Sequence, residues 1–405
     1  MPVDLPQHFA DEMGALLGPN FPSEIALAVS GGGDSMAMLH LAAGWARIYG
    51  IALKVMTVDH GFRPESAAEA AMVAAECDVL GLRHATLTWT GWDGTGNLQD
   101  AARQARLDRI TAYCAPRGHV VMAHTQDDQA ETVLMRLIRG SGVDGLAGMA
   151  AKRETPGLTI VRPLLGVRRE ALRHYCKTLK IPFVDDPSNE DARFDRVRIR
   201  RLIGQEGLDV ATLAKTARQM ARAKAALDQR VKQATQAVTT VGIAEAGYVA
   251  FDRDALATVE EETRLRIVAN ALIAIGGNPY RPRLSALESA VDQLLSGGTT
   301  TLHGCVMQAA NDQILICREV KAIGPDCATD HIWDGRWSLN GPHAPELRIS
   351  AIKGALSQCP EWRETGHPRA ALMASPAIWQ DERLIAAPLA GLNAGWTARF
   401  AAKTV

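Results

Sequence analysis

With 405 residues, 47% of them hydrophobic, and a formal net charge of −1, the chain is long enough for two or three domains with sizeable cores. It has no global basic field for holding nucleic acid, so any RNA-binding surface must be a local patch. The 7 cysteines include no C-x-x-C pair, which speaks against a zinc ribbon, a redox pair or an iron–sulfur centre and fits reduced thiols in cytosol. No apolar run reaches membrane-spanning length, and the N-terminus lacks a basic segment followed by an apolar one. The expectation is a cytoplasmic protein without membrane contact.

The pattern over residues 1–20 predicts a short helix. From Ile25 strand and helix alternate. Ile25 to Val29 is a short unbroken apolar run, as in a buried strand, and Met36 to Tyr49 has helical spacing. Further strands are expected at Leu53 to Val58, His84 to Trp89, His119 to Ala123 and Leu158 to Leu165. Further helices are expected at Ala67 to Leu80, Asn97 to Cys114, Asp127 to Ile138 and Arg168 to Leu179. Such alternation implies an α/β fold with a parallel, doubly wound sheet. Val210 to Val238 reads as one long connector helix, because it carries few large apolar residues. Residues 245–320 mix a helical pair with short strands, and residues 330–405 place five tryptophans among Gly and Pro, as in a small β-rich module. Three domains are expected: 1–210 as the α/β domain, 211–324 as mostly helical, and 325–405 as β-rich.

Between the first strand and its helix lies Ser30-Gly31-Gly32-Gly33-Asp34-Ser35. Contiguous glycines leave backbone N–H groups uncovered and allow close approach, and a helix N-terminus there favours an anion. The result is a phosphate cradle. It lacks the Gly-Lys-Ser/Thr ending of a Walker A loop and the spaced glycines of a dinucleotide fingerprint. The plainer alternative is a tight turn in which Asp34 caps the helix. Asp59-His60-Gly61 and His124 to Glu131 also fall at the carboxyl ends of strands, where ligands bind in such sheets. Asp127, Asp128 and Glu131 sit in the first turn of a helix; they are either dipole-matched caps or, beside phosphates, holders of magnesium. Arg103 and Arg106 share a helix face, and they either form a solvated basic face or clamp a phosphate. Arg193 to Arg201 is the densest basic cluster; with Arg162, Arg168, Arg169 and Arg173 it forms either a phosphate-tracking patch or an ion-paired surface.

Ser30 to Ser35 resembles the signature loop of the PP-loop ATP pyrophosphatases. Val58 to Arg63, Ala123 to Thr132, Arg136 to Gly142, Arg162 to Leu165 and Asp186 to Asn189 together resemble the tRNA(Ile)-lysidine synthase family. The resemblance is dense from about residue 24 to 204 and thinner beyond, where it rests on a tail like Pro376 to Trp379 and Ala387-Pro388. It implies ATP and Mg2+ as cofactors, and lysine and a tRNA(Ile) with a CAU anticodon as partners; it also allows a homodimer. The implied reaction joins lysine to carbon 2 of the wobble cytidine through an adenylated base, changing decoding from AUG to AUA. By resemblance Ser30, Gly31, Gly32, Gly33, Asp34, Ser35 and Asp59 bind the nucleotide, and Asp34 and Asp128 hold the metal. Asp34, Arg103, Arg106, His124, Asp128, Arg196 and Arg200 are the implied catalytic set. The family motif Arg-Asn-x-Ile-Arg here carries Val197 in place of asparagine, between Arg196 and Arg200.

Two rival readings are a different PP-loop enzyme and a non-catalytic RNA-binding protein on a degenerate nucleotide fold. A tRNA thiolase usually needs a cysteine cluster and amide-forming relatives often work with a Cys-His glutaminase, and neither is seen here. The intact loop with Asp34, His124 and Asp128 speaks against a degenerate fold.

Overall fold

The computed structural model describes residues 4–59, 61, 65–89, 91, 98–114, 116–185 and 195–401. The chain forms two compact units, Met1–Ala225 and Ala226–Val405.

In the first unit the elements run α1 (Leu5–Leu17), β1 (Glu24–Ala28), α2 (Gly33–Tyr49), β2 (Ala52–Asp59), α3 (Glu65–Leu80), β3 (Arg83–Thr88), α4 (Leu98–Cys114) and β4 (Gly118–Met122). They continue as α5 (Gln126–Ile138), α6 (Val143–Leu146), β5 (Lys152–Thr155), β6 (Leu158–Val161), α7 (Arg169–Leu179) and α8 (Asp195–Gln205), and α9 (Val210–Val238) begins there. The sheet order is β3-β2-β1-β4-β6-β5. β1 pairs in parallel with β2 on one side and β4 on the other, so the strand order reverses between β1 and β4. Such a switch point opens a crevice at the carboxyl ends of the two strands.

Both faces of this sheet are covered, as continuous apolar strands require. On one face Phe9, Met13, Met36, Trp45 and Leu172, from α1, α2 and α7, pack with Ile25, Leu27 and Val55. On the other, Ile110 and Cys114 of α4 pack on Ala26, Met56, Val120 and Ile160. Each large side chain buried here contributes roughly 1.5–3 kcal/mol over exposure.

Two local features differ from expectation. The strand expected to reach Leu165 ends at Val161, because Pro163 has no N–H for a ladder. β5 folds back antiparallel on β6 through a turn at Gly157, φ +83°, and forms the sheet edge.

In the second unit, β7 (Thr239–Val241), α10 (Ile243–Ala246), β8 (Val249–Asp252), α11 (Arg253–Thr258), α12 (Glu261–Gly276), α13 (Leu284–Leu295), β9 (Thr299–Leu302), β10 (Cys305–Ala310) and β11 (Gln313–Arg318) follow in order. Their strands form one five-stranded antiparallel sheet. The segment is mostly helical, through α9, α12 and α13, and its short strands, expected within residues 245–320, pair into this one sheet. Then come β12 (Cys327–Ala328), β13 (Trp337–Asn340), β14 (Leu347–Ala351), α14 (Arg369–Met373), β15 (Pro376–Gln380), β16 (Arg383–Ala386) and β17 (Thr397–Phe400). They make a four-stranded and a two-stranded sheet around buried Trp333, Trp337 and Trp396. α9 is mostly exposed in its middle, but Ala214 and Ala217 are buried near its start and Val231, Ala234 and Val238 near its end. Its last turns thus belong to a core, although the sequence marks the helix only as a connector.

Candidate active site

The glycine turn is held from within. The Ser30 N–H donates to Ser35 Oγ at 3.1 Å, and Ser35 Oγ donates to the Gly32 carbonyl at 2.9 Å. Gly31 has φ +86°, a conformation that only glycine adopts without strain, and its carbonyl accepts from the Val184 N–H at 3.0 Å. Gly32 is the N-cap of α2 and supplies no side chain to cap it. The start of this 17-residue helix thus carries no side-chain cap.

This turn forms one wall of a cavity of about 310 Å³. Met56, Val58, Ile110 and Met122 give the cavity an apolar floor suited to a flat base, and Arg106, His124, Arg173 and Arg200 supply charge and polarity around it. The expected loop, acid, histidine and two of the arginines therefore meet in one place.

Asp34 is the second residue of α2, and its carboxylate does not cap the helix. Its Oδ2 accepts from Arg169 Nε at 2.9 Å, and its Oδ1 is buried without a hydrogen-bond partner. Burial pushes this carboxyl up to about 6, against the pull of Arg169. The same guanidinium donates from Nη2 to Asp128 at 2.8 Å and from Nη1 to Glu131 at 3.3 Å. Arg169 is thus the hub of the site. Residue spacing did not single it out, because its acidic partners lie on α2 and α5, far away along the chain.

Asp128 forms a capping box with Thr125: its Oδ2 accepts from the Thr125 N–H at 2.8 Å and from Thr125 Oγ1 at 2.9 Å. Burial would raise its carboxyl, but Arg169 and the Thr125 N–H outweigh that and hold it below the usual range. Both oxygens of Asp128 accept hydrogen bonds: it orients Arg169 and caps α5. The unpartnered oxygen of Asp34, in contrast, fits a hard cation carried by phosphates. Glu131 is buried, accepts from Arg200 Nε at 2.8 Å, and keeps Oε2 without a partner.

His124 lines the cavity, and its Nδ1 accepts from Arg162 Nε at 3.2 Å, so the neutral ring carries its proton on Nε2. Asp59 Oδ1 accepts from the Gly61 N–H at 2.8 Å, so the side chain turns the chain just past Val58 instead of lining the cavity. The arginine cluster on α8 divides. Arg200 joins the cavity, Arg198 pairs with Asp195, and Arg196 is exposed and does not line the cavity. Val197 is buried, which leaves no polar contact at that position. The side chain of Arg103, together with His60, Asn97 and residues 186–194, lies outside the described residues.

A phosphate-binding turn at the switch point of a parallel sheet, with an acid and arginines around it, defines an ATP-using PP-loop enzyme. Residues 5–207 match the family model described as a PP-loop domain. A tRNA(Ile)-lysidine synthase from Ruegeria pomeroyi is 43% identical over 402 residues, covering 97% of this chain and 95% of that protein. One from Bradyrhizobium diazoefficiens is 42% identical, covering 68% and 80%, and one from Wolbachia pipientis is 32% identical, covering 92% and 90%. The chain belongs to the tRNA(Ile)-lysidine synthase family.

Proposed function

We infer that the chain is an ATP-using ligase that joins lysine to carbon 2 of the wobble cytidine of tRNA(Ile). The observation that carries this reading is the one cavity uniting the glycine turn, the start of α2, Asp34, His124 and four arginines. In the first step the cytidine oxygen on carbon 2 attacks the α-phosphate of ATP and pyrophosphate leaves. In the second the lysine ε-amine attacks carbon 2, and that oxygen departs with AMP.

The chain's own groups suit the first step. The amides of Gly31 to Asp34 and the dipole of α2 meet the charge that develops on the leaving pyrophosphate. Arg106 and Arg200 flank the same space, and the Nε2–H of His124 can donate to a phosphoryl or base oxygen. Asp34, through its unpartnered oxygen, is the residue we assign to Mg2+, which when bound would neutralise phosphate charge. The base must be unstacked to enter, which costs little in an anticodon loop.

The second unit supports a further division near residue 324, since one apolar core runs from Val231 to Ile316 and another surrounds Trp333 and Trp396. We assign these parts to holding the tRNA away from the anticodon. The cytoplasm is the compartment proposed: all seven cysteines are unpaired, and among the described residues no helix is long and apolar enough to cross a membrane.

Purified full chain incubated with ATP, lysine and tRNA(Ile) bearing a CAU anticodon should release AMP and pyrophosphate. It should also yield a lysine-modified cytidine in nucleoside mass spectrometry. Absence of that nucleoside, with ATP and tRNA intact at the start, overturns the reading.

A further inference from the structure

Two stretches that carry the family likeness, Arg136 to Gly142 and Arg162 to Leu165, do not line the cavity. Their arginines meet at one strap of chain, residues 145–151, between α6 and β5. Arg136 Nη1 donates to the Gly145 and Gly148 carbonyls at 2.8 and 2.9 Å. Gln129 holds Met149 as a strand partner would: its Nε2 donates to the Met149 carbonyl at 2.8 Å, and its Oε1 accepts from the Met149 N–H at 2.7 Å. A Cβ on Gly148 would lie 2.6 Å from Gln129 Oε1, so a side chain there would disturb this pairing. Arg162 is 7% exposed; its Nη1 donates to the Ala150 carbonyl at 2.7 Å and its backbone N–H to the Ala151 carbonyl at 2.8 Å. Its Nε turns back to His124 Nδ1, just before the Thr125 cap of α5. The bonds close a ring: from His124 along α5 to Gln129, through Met149 and Ala150 to Arg162, and back to His124.

We propose that Arg162 is a positioning residue that holds His124 as a neutral hydrogen-bond donor and keeps it from acting as a base. A carboxylate behind a histidine does the opposite: it accepts the Nδ1 proton and leaves Nε2 free to take one. A guanidinium has no acceptor and is always charged. Bonded to Nδ1, it occupies the only ring lone pair of the Nε2–H form, and a second ring proton would set two cations in contact. The other charges around His124 do not reverse this. Asp128 attracts a charged ring, but it is itself bonded to Arg169. The cavity that His124 lines also carries Arg106, Arg169, Arg173 and Arg200 against Asp34 and Asp185. His124 therefore offers a proton to a phosphoryl or base oxygen through a hydrogen bond, and the proton that the lysine ε-amine must lose goes to another group. The proposal rests on reading this cavity as the site of adenylation.

The test is nitrogen-15 NMR of full chain labelled at its histidines, at neutral pH, with the His124 signals assigned by their loss in His124→Gln. Pyrophosphate release with ATP, lysine and tRNA(Ile) is measured alongside. In wild type the His124 ring should be neutral with its proton on Nε2. Arg162→Met removes the charge and the donors, so the ring should shift toward the Nδ1–H or the doubly protonated form. Its kcat should fall about 10- to 100-fold, the scale on which groups behind a functional histidine act at metal sites, while the KM for ATP stays within about twofold. Arg162→Lys keeps a cation beside Nδ1 and should recover the Nε2–H ring and part of kcat. If Arg162→Met does not fold, the wild-type and Arg162→Lys spectra decide. A wild-type ring protonated on Nδ1, or on both nitrogens, overturns the proposal. So does Arg162→Met with either the spectrum or the kcat of wild type, or a lysine variant that recovers neither. The spectrum needs no turnover, so a wild type with the Nε2–H ring and no pyrophosphate release contradicts the adenylation reading instead.

Discussion

The two units each bury a cluster of arginine and carboxylate, and the clusters are built in opposite ways. In the first, one arginine, Arg169, faces three carboxylates beside a cavity, and two carboxylate oxygens stay without donors. In the second, one carboxylate, Asp334, lies between two arginines and is saturated. It accepts from Arg318 Nε at 3.1 Å and Nη2 at 3.2 Å, from Arg336 Nε at 3.0 Å and also Nη2, and from the Gly324 N–H at 2.9 Å. Burial acts on both acids. At Asp34 it wins and raises the carboxyl to about 6. At Asp334 the donors and positive charges outweigh it and hold the carboxyl below its usual range. A saturated charge cluster fixes a fold. An unsaturated one at a cavity edge is kept ready for a ligand, at a cost in stability.

The sharpest break of this comparison is in the second unit. Asp334→Ala leaves two guanidinium groups, one of them only 4% exposed, without their carboxylate. It should destabilise that unit by about 3–5 kcal/mol, read as an early transition in chemical denaturation. An unfolding curve like wild type would mean that Asp334 is not the anchor of that unit. Asp34→Ala should do the reverse: pyrophosphate release falls roughly 100- to 1,000-fold while the melting temperature barely moves. A large fall in melting temperature would make Asp34 a structural residue like Asp334.

Acid separates the clusters by sign. Asp34 binds its proton more tightly folded than unfolded, so its contribution to stability is complete at low pH and is lost as pH rises through about 6. Its ionised form, needed at the site, disappears on acidification through the same region. Asp334 contributes stability above its unfolded value of roughly 3.9, lost as pH falls through its lower folded value. Lowering pH from 7 to 5 should therefore cut turnover while leaving the fold intact, and only stronger acid should loosen the second unit. Turnover and circular dichroism recorded along one pH series would show whether the two losses separate.

The smallest effects compare two arginines two residues apart on α8, on different sides of the helix. Arg200→Ala removes a donor to buried Glu131 and should lower pyrophosphate release about tenfold. Arg198→Ala removes an exposed pair with Asp195 and should change nothing measurable in steady-state kinetics. Equal effects from the two variants would return the whole cluster to an ion-paired surface.

The sequence made the loop legible because a short apolar strand, contiguous glycines and a helical pattern are all local signals. His124 and Asp128 stood out by a similar route, at the end of a strand where a helix opens; Arg200 was one of a basic cluster and was singled out only by the family resemblance. Arg169 was hidden, since its bond to Asp34 spans 135 positions and Arg168-Arg169 reads like any basic pair opening a helix. Asp128 carried two readings in sequence, a cap of its helix or a holder of magnesium beside the phosphate loop; the capping box with Thr125 is the part the structure makes visible. Short strands were expected in the second unit, but not their bounds or partners: segments such as Thr299–Leu302 are short and half-exposed, so their pairing is set by neighbours and not by their own pattern.

The most direct test is a structure of the full chain with a non-hydrolysable ATP analogue. The triphosphate should lie against the backbone amides of Gly31 to Asp34, with the base over Met56 and Ile110. A nucleotide bound elsewhere on the chain, leaving that turn empty, would contradict the account.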